Sequence, residues 1–230
     1  NNNFKIIRSY NFETIKMLKR NLLKTIIQKR INKDLNPIFL FSSVVPKVFL
    51  NIKKSLNFSK YKVLEIKNLN LNKVIKINVK NKKQLGSDRI ANAIGAKKFK
   101  NCLVLDFGTA TTFDVIKNGR YEGGVIAPGV KLSIKNLSQA TALLPLIHLS
   151  SNQKKIGKNT KEALNAGFIW GYEGLLNNII DKIILKNEKK FKIILTGGYA
   201  NFFKKMIKKN VTVDQDITIK GIANVYKELI

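Results

Sequence analysis

The residues whose types and spacing are best suited to chemistry lie between positions 103 and 130. An apolar run ends in the carboxylate of Asp106, and a turn of small residues follows at positions 107–110. Short apolar runs bounded by Gly or Asn are typical of buried strands. Because Gly108 permits a backbone geometry that other residues resist, the turn N–H groups and the Thr109 hydroxyl are able to approach a phosphate, with Asp106 beside them for a cation. A plain β-hairpin, in which the Asp and Thr side chains only satisfy turn hydrogen bonds, explains the same pattern.

A second candidate group is Gly-Ser-Asp-Arg at positions 86–89, which opens an alanine-rich helix at residues 90–97. Asp88 then lies near a helix N-terminus, where the helix dipole stabilises a carboxylate. In a structural interpretation, Asp88 caps the helix and Arg89 lies on the surface. In a functional interpretation, Asp88 accepts the proton of a substrate hydroxyl and Arg89 binds a substrate carboxylate.

A third candidate is the stretch in which a strand at residues 192–195 runs through Thr-Gly-Gly into a helix that starts near Tyr199. Turn N–H groups and a helix N-terminus then face one point, which suits a nucleotide. The same geometry also occurs in proteins that bind no ligand there, so the stretch alone does not decide between the two interpretations.

A long helix is predicted at residues 161–185, with Asn159 or Thr160 as its cap. It carries three glycines, which are poor helix formers but permit close backbone approach. These glycines indicate a tight helix–helix contact or a dimer contact, and they are Gly167, Gly171 and Gly174.

The composition is strongly basic, with 43 Lys and Arg against 14 Asp and Glu and a net charge of +29 over 230 residues. Such a balance suggests a polyanionic partner. However, only five of the basic residues are Arg, and the lysines are spread over nearly every segment. Nucleic-acid grooves favour Arg and stacked aromatic residues, so we do not expect a nucleic-acid partner.

Cysteine and histidine usage excludes several kinds of site. The single cysteine, Cys102, forms no internal disulfide, which suits a reducing compartment. The single histidine, His148, has no obvious catalytic partner, and no Cys/His cluster suggests a zinc site. No apolar run is long enough to span a bilayer and no signal-peptide pattern is present, so we expect a cytoplasmic protein.

The predicted element order indicates an α/β fold. From residue 102 onward it is three strands, the third of them at 124–127, followed by two helices, a strand and two helices. Residues 4 to 100 begin with a strand at 4–8 and a helix at 11–28, and later alternate strands, including one at 74–79, with helices. The first half resembles the second without its opening hairpin, although their identity is too low to establish a repeat.

Six motifs occur together in the order seen in type III pantothenate kinases, and the chain resembles this family over essentially its whole length. They are Ser-Ser-Val-Val-Pro at 42–46, Gly-Ser-Asp-Arg-Ile-Ala-Asn-Ala at 86–93, Asp-Phe-Gly-Thr-Ala-Thr-Thr-Phe-Asp at 106–114, Gly-Gly-Val-Ile-Ala-Pro-Gly at 123–129, Ile-Gly-Lys-Asn-Thr at 156–160 and Thr-Gly-Gly at 196–198. Each motif is weak alone, but six in order with compatible spacing are specific.

The resemblance implies a fold and a reaction. The family belongs to the superfamily of acetate and sugar kinases, heat-shock ATPases and actin, so it implies two actin- or ribonuclease-H-like halves, each a mixed sheet flanked by helices, at residues 1–100 and 101–230. It also implies ATP-dependent phosphorylation of pantothenate to 4'-phosphopantothenate, the first step of coenzyme A biosynthesis, by a homodimer. The implied cofactors are ATP, a monovalent cation (K⁺ or NH₄⁺) and Mg²⁺.

The resemblance also assigns roles to individual residues. Asp88 is similar to the family's general base, and Gly86, Ser87, Asp88, Arg89 and Thr160 to its pantothenate contacts. Thr109 is similar to an ATP contact and Asp106 to the ligand of the monovalent cation.

The family's sequences begin with a strand and an Asp-x-Gly-Asn-Thr phosphate loop, and this sequence starts where the third strand would be. We therefore expect the first half to be incomplete at its N-terminus. The alternative function is that of a truncated or degenerate non-catalytic relative that acts as a dimeric binding or regulatory protein.

Overall fold

A computed structural model describes residues 38–57, 61–151, 155–184 and 191–230 of the chain. The strand expected at residues 4–8 and the helix expected at 11–28 lie outside the described residues. The chain forms two compact units, each considered by itself below. The first comprises Asn1–Ile75, Asn81–Gly95 and Thr218–Ile230, and the second comprises Lys76–Lys80 and Ala96–Ile217. The predicted division at residue 100 stays a prediction.

In its described residues, the first unit shows two parallel strands and three helices. Its elements are β1 (Ile38–Phe41), α1 (Pro46–Asn57), β2 (Lys62–Glu65), α2 (Ser87–Ala96) and, at the end of the chain, α6 (Ile217–Leu229), with short 3₁₀ turns at Ile66–Asn68, Leu71–Lys73 and Lys82–Gln84. Helices α2 and α6 approach closely at Gly221, where a Cβ atom would lie 1.8 Å from the carbonyl oxygen of Ala91. Only glycine permits this backbone contact.

The second unit is built on a six-stranded sheet. Its strands are β3 (Lys76–Ile77), β4 (Cys102–Phe107), β5 (Ala110–Lys117), β6 (Arg120–Pro128), β7 (Lys192–Gly197) and β8 (Val211–Val213), and its helices are α3 (Val130–Ala140), α4 (Thr160–Ile183) and α5 (Ala200–Phe203). The spatial order is β3-β6-β5-β4-β7-β8. The β6-β5-β4 segment is antiparallel, whereas β7 and β8 continue parallel to β4 and β3 is parallel to β6. The predicted α/β fold with a mixed sheet flanked by helices is confirmed.

The core of the second unit lies on the central strands. Leu103 and Leu105 of β4, Phe113 of β5 and Leu195 of β7 are fully buried. Helix α4 contributes Leu176, also fully buried, to the same apolar cluster. Strands β4 and β7 are continuous apolar runs because side chains on both of their faces are buried.

Several boundaries differ from those predicted. Strand β6 extends back to Arg120, whereas the sequence indicated only residues 124–127. The strand expected at residues 74–79 is limited to Lys76–Ile77, since a 3₁₀ turn at Leu71–Lys73 precedes it. Strand β8 was not predicted, because three residues carry too little periodicity to be recognised. Among the described residues, no helix combines the length and apolarity that crossing a membrane requires.

Candidate active site

The first candidate motif is a β-hairpin turn, as the sequence predicted. Strand β4 ends at Phe107, β5 begins at Ala110, and the two pair antiparallel with Phe107 opposite Thr111. The N–H of Gly108 donates to the carbonyl oxygen of Ala110 at 3.1 Å. Thr109 lies exposed at the tip and Asp106 is half-buried beside it. The hydroxyl at the tip is therefore accessible to a ligand.

A second turn meets this hairpin at the end of β7. Asp106 lies opposite Thr196 and Phe107 opposite Gly197 in the parallel pairing of β4 with β7. The N–H of Gly198 donates to the carbonyl oxygen of Phe107 at 3.1 Å. Gly197 has a φ of 84°, and a Cβ there would lie 2.7 Å from both Asp106 Oδ1 and the Phe107 carbonyl oxygen. The turn therefore requires glycine, and it brings two oxygen atoms close together at the carboxyl ends of parallel strands, where α/β proteins bind ligands.

A cavity of about 360 Å³ opens next to the two turns. It is lined by Phe107, Gly108, Thr109, Lys131, Leu132, Lys135, Gly198 and Tyr199. Two lysines and Thr109 border a partly apolar and aromatic lining, so the cavity is suited to an anion that carries an apolar or aromatic part.

The start of α3 is fixed against the hairpin tip. Gly129 precedes the helix, and a Cβ atom at Gly129 would lie 1.9 Å from the Thr109 carbonyl oxygen. From α4, the Tyr172 hydroxyl donates to the Pro128 carbonyl oxygen at 3.2 Å and is 2.8 Å from Ser133 Oγ. Burial raises the pKa of Tyr172, while the hydrogen bond with Ser133 acts in the opposite direction. The Tyr172 hydroxyl therefore stays protonated, and its hydrogen bond to Pro128 fixes the backbone just before α3.

The turn that carries Asp88 is held in place by the carboxylate of Glu65. Ser87 is 1% exposed, and its hydroxyl donates to Glu65 Oε1 at 2.5 Å. The Ser43 N–H donates to the same oxygen at 3.3 Å. Asp88 is the second residue of α2 rather than its cap, and its Oδ1 accepts from the Arg89 N–H at 2.8 Å. Asp88 and Arg89 are both half-buried, so the expected cap and surface positions are not found, and the functional interpretation stays a prediction.

Thr160 lies apart from the cavity at the hairpin. Asn159 is the cap of α4, since its Oδ1 accepts from the Glu162 N–H at 3.0 Å. Thr160 is exposed and lines a separate groove of about 440 Å³, together with Leu137, Leu144, Ala163, Leu164, Gly167 and Phe168. Its hydroxyl is therefore not needed for the cap.

The glycines of α4 do not form a tight contact within the described part of the chain. A Cβ atom added at Gly167, Gly171 or Gly174 would meet nothing within 4 Å. Of the two expectations for these glycines, the helix–helix contact within the chain is therefore not found among the described residues, and the dimer contact stays a prediction.

Two buried groups near the sheet are structural. Burial raises the pKa of the Cys102 thiol to about 12, so the thiol stays protonated and unreactive. Asp114 is fully buried, and its Oδ1 accepts from the Tyr121 hydroxyl at 2.9 Å. Over the described residues, no three His, Cys, Asp or Glu side chains are grouped closely enough to hold a metal ion.

Several site residues were not predicted. Lys131 and Lys135 were missed because lysines are frequent throughout this chain, and nothing in the sequence separates these two from the rest. Glu65 was missed because its partner Ser87 is 22 positions away. The Pro-Gly that ends the fourth motif, at 128–129, was the available signal that α3 starts near the hairpin.

The fold defines a class of α/β proteins with a mixed sheet flanked by helices. A structure from Campylobacter jejuni, described as a conserved putative Baf family transcriptional activator, matches with a TM-score of 0.59 and 22% identity, covering 88% of this chain and 87% of that one. The ethanolamine utilization protein EutJ from Carboxydothermus hydrogenoformans matches with a TM-score of 0.51 and 14% identity, covering 92% and 74%. At these identities the likeness concerns the fold alone.

Sequence comparison gives the family. The model of the type III pantothenate kinase family matches residues 2–182, and the chain belongs to that family. A type III pantothenate kinase of Pelagibacter ubique is 53% identical over 195 residues, which is 83% of this chain and 77% of that protein. One of Roseobacter denitrificans is 33% identical over 210 residues, covering 89% and 81%. The predictions of a kinase with an alcohol acceptor, and of ATP and pantothenate as its substrates, are confirmed at the level of the family.

Proposed function

We propose that this chain catalyses the ATP-dependent phosphorylation of pantothenate to 4'-phosphopantothenate, the first step of coenzyme A biosynthesis, in the cytoplasm. The observation that carries the proposal is the junction of two turns at the ends of β4 and β7 beside a cavity, in a chain of the type III pantothenate kinase family. Phosphoryl transfer depends mainly on positioning and charge stabilisation, which is what such a junction offers.

We assign the nucleotide to the cavity at this junction, with the Thr109 hydroxyl and the turn N–H groups as phosphate contacts. Asp106 would hold the monovalent cation, K⁺ or NH₄⁺. Asp106 offers a half-buried carboxylate at the end of β4, beside the backbone carbonyl oxygens of the two turns. Carboxylate and carbonyl oxygens are the ligands of hard cations. Mg²⁺ would be held largely by phosphate oxygens and water.

We assign Asp88 as the general base that accepts the proton of the pantothenate hydroxyl. The Arg89 N–H occupies Asp88 Oδ1, which orients the carboxylate and leaves Oδ2 for the substrate. Arg89 suits the carboxylate of pantothenate. Because the Ser87 side chain is buried against Glu65, its contribution and that of Gly86 would come from the backbone. Thr160 is assigned as a further pantothenate contact.

Replacement of Asp88 by Asn tests this assignment. In a coupled assay with ATP, Mg²⁺, K⁺ and pantothenate, we expect D88N to lower kcat by about 10²- to 10⁴-fold, the usual contribution of a positioned base. The matched control is D181N, because Asp181 is an exposed carboxylate that pairs with Lys209 on the surface.

The assay is run on this chain and on the same chain preceded by a strand and an Asp-x-Gly-Asn-Thr loop. Activity of D88N equal to that of D181N would rule out Asp88 as the base. Absence of phosphopantothenate formation by the parent in both forms would rule out the function.

We also propose that the protein is a homodimer that pairs through α4. Trp170 on this helix is 45% exposed, and the neighbouring Gly167 and Gly171 leave open space above the backbone. Small residues beside an exposed aromatic side chain suit close packing of a second helix. Sedimentation velocity of the parent and of W170E checks the proposal. A monomeric parent at micromolar concentration would contradict it, and a dimeric W170E would move the interface elsewhere.

A further inference from the structure

We infer that Lys131 and Lys135 make the cavity at the hairpin selective for polyphosphate charge rather than for a particular base. Nucleoside diphosphates and triphosphates with different bases would then bind with similar affinity, whereas monophosphates would bind weakly. This inference rests on the proposed nucleotide site and adds two residues and a substrate class to it.

The two lysines share one face of α3. They are four residues apart, so their side chains are neighbours on the helix surface, and both line the cavity together with Gly108, Thr109 and Gly198. Both are exposed. None of the residues described as lining the cavity is acidic. The lysines therefore contribute two positive charges to the lining of the cavity.

Helix energetics disfavour lysine at these two positions. Lys131 lies in the first turn of α3, where the positive end of the helix dipole repels a cation. Like charges four residues apart also repel each other. An anion bound between the lysines and the hairpin tip would remove both unfavourable interactions, which a neutral ligand would not do.

The rest of the lining offers little that distinguishes one base from another. Phe107, Leu132 and Tyr199 supply apolar and aromatic surface, and Phe107 is held rigidly by a stacked contact with Phe203 at 5.6 Å between ring centroids. Stacking tolerates every base. Apart from the lysines, the polar side chains among the described lining residues are the Thr109 and Tyr199 hydroxyls. A hydroxyl both donates and accepts, so it distinguishes poorly between the edges of different bases.

Nucleotide titration of the folded chain tests the inference without any need for turnover. Binding of ADP, GDP and AMP is measured by calorimetry for the parent, for the double variant Lys131→Gln/Lys135→Gln, and for the control Lys204→Gln/Lys205→Gln. The control removes the same charge from the same unit, outside the cavity. We expect the parent to bind ADP and GDP within about threefold of each other and AMP at least about tenfold more weakly, because each phosphate adds charge. The double variant should lose at least about tenfold in ADP affinity at 0.05 M salt and less at 0.5 M, where screening is stronger.

The inference would be overturned if the double variant and the control bound ADP with equal affinity. It would also be overturned if the parent preferred ADP over GDP by about a hundredfold, or if the parent bound no nucleotide. Phosphopantothenate formation distinguishes this from the proposed function. If the parent phosphorylates pantothenate but the two lysines prove unnecessary for ADP binding, only the inference is refuted. If the parent binds ADP through the lysines, but neither the parent nor its form with the preceding strand and loop makes phosphopantothenate, the inference is supported and the function is refuted.

Discussion

Replacement of Gly129 by Ala tests whether the hairpin tip is positioned by a backbone contact with the start of α3. The added Cβ atom would lie 1.9 Å from the Thr109 carbonyl oxygen, 2.6 Å from its carbonyl carbon and 2.9 Å from the Gly108 carbonyl oxygen. Ordinary contacts begin at 3.4 Å, so either α3 or the hairpin tip has to move by about 1.5 Å. No flexible side chain is available to absorb this movement, because all three clashing atoms belong to the backbone.

The expected cost follows from that displacement. Inserting a methyl group into a well-packed region usually costs about 1–3 kcal/mol. We expect about 3 kcal/mol for G129A because the backbone has to shift. For a chain of this size that corresponds to a fall in Tm of roughly 6–12 °C. Since an error of about 1 Å in a site reduces turnover by about 10²-fold, nucleotide binding and activity should fall as well.

Fluorescence of Trp170 is a suitable probe, because it is the single tryptophan and lies in the same unit as Gly129. Urea unfolding followed by this signal compares the parent, G129A and the control G198A. A Cβ at Gly198 would be 4.0 Å from the Phe107 carbonyl oxygen, an ordinary contact, so the control should lie within about 1 kcal/mol of the parent. A free energy of unfolding for G129A equal to that of the control would refute the reasoning, because the close backbone contact would then be absent.

Two other predictions concern groups away from the hairpin. S87A removes the hydroxyl that donates to Glu65 at 2.5 Å. We expect it to lower the free energy of unfolding by about 1 kcal/mol and to raise the KM for pantothenate. Unchanged stability and KM would show that Glu65 does not position this turn. Burial raises the pKa of the Cys102 thiol from 9.0 to about 12, so between these pH values the folded state holds a proton that the unfolded state loses. The contribution of this thiol to the free energy of unfolding is therefore present below about pH 9 and is lost as the pH rises towards 12. The urea midpoint should therefore fall more steeply between pH 8 and 10 for the parent than for C102A, and equal slopes would contradict this.

The sequence predicted the elements whose patterns are local and strong. The run at Leu103 to Leu105 and the turn after it gave the β4-β5 hairpin, because a short apolar segment followed by Gly108 has few other solutions. The double glycine after β7 was correctly placed in a turn, and the structure adds that Gly197 needs a positive φ. The long helix was predicted to within two residues at each end, since Asn159 and Glu162 form a recognisable capping pair.

The sequence could not predict contacts between residues that are distant along the chain. Gly129 and Thr109 are 20 positions apart, and the need for glycine at position 129 depends on how the hairpin bends towards α3. Likewise, nothing in the sequence around Ser87 indicates a distant structural partner. In the fold it is a buried donor to Glu65, a partner that only the pairing of β1 with β2 brings within reach.

In the candidate site of the second unit, the residues that hold the two turns in place differ from the side chains that would bind the ligand. Its two turns are held by backbone approaches that only glycine permits, at Gly197 against Asp106 and at Gly129 against Thr109. The side chains assigned to the nucleotide, the Thr109 hydroxyl and the two lysines of α3, lie exposed and take no part in those backbone approaches. Changes to the ligand-binding side chains should therefore alter affinity with little effect on stability, whereas changes to either glycine should lower both together. A site arranged in this way can change which anion it binds by surface substitution while its backbone geometry stays fixed.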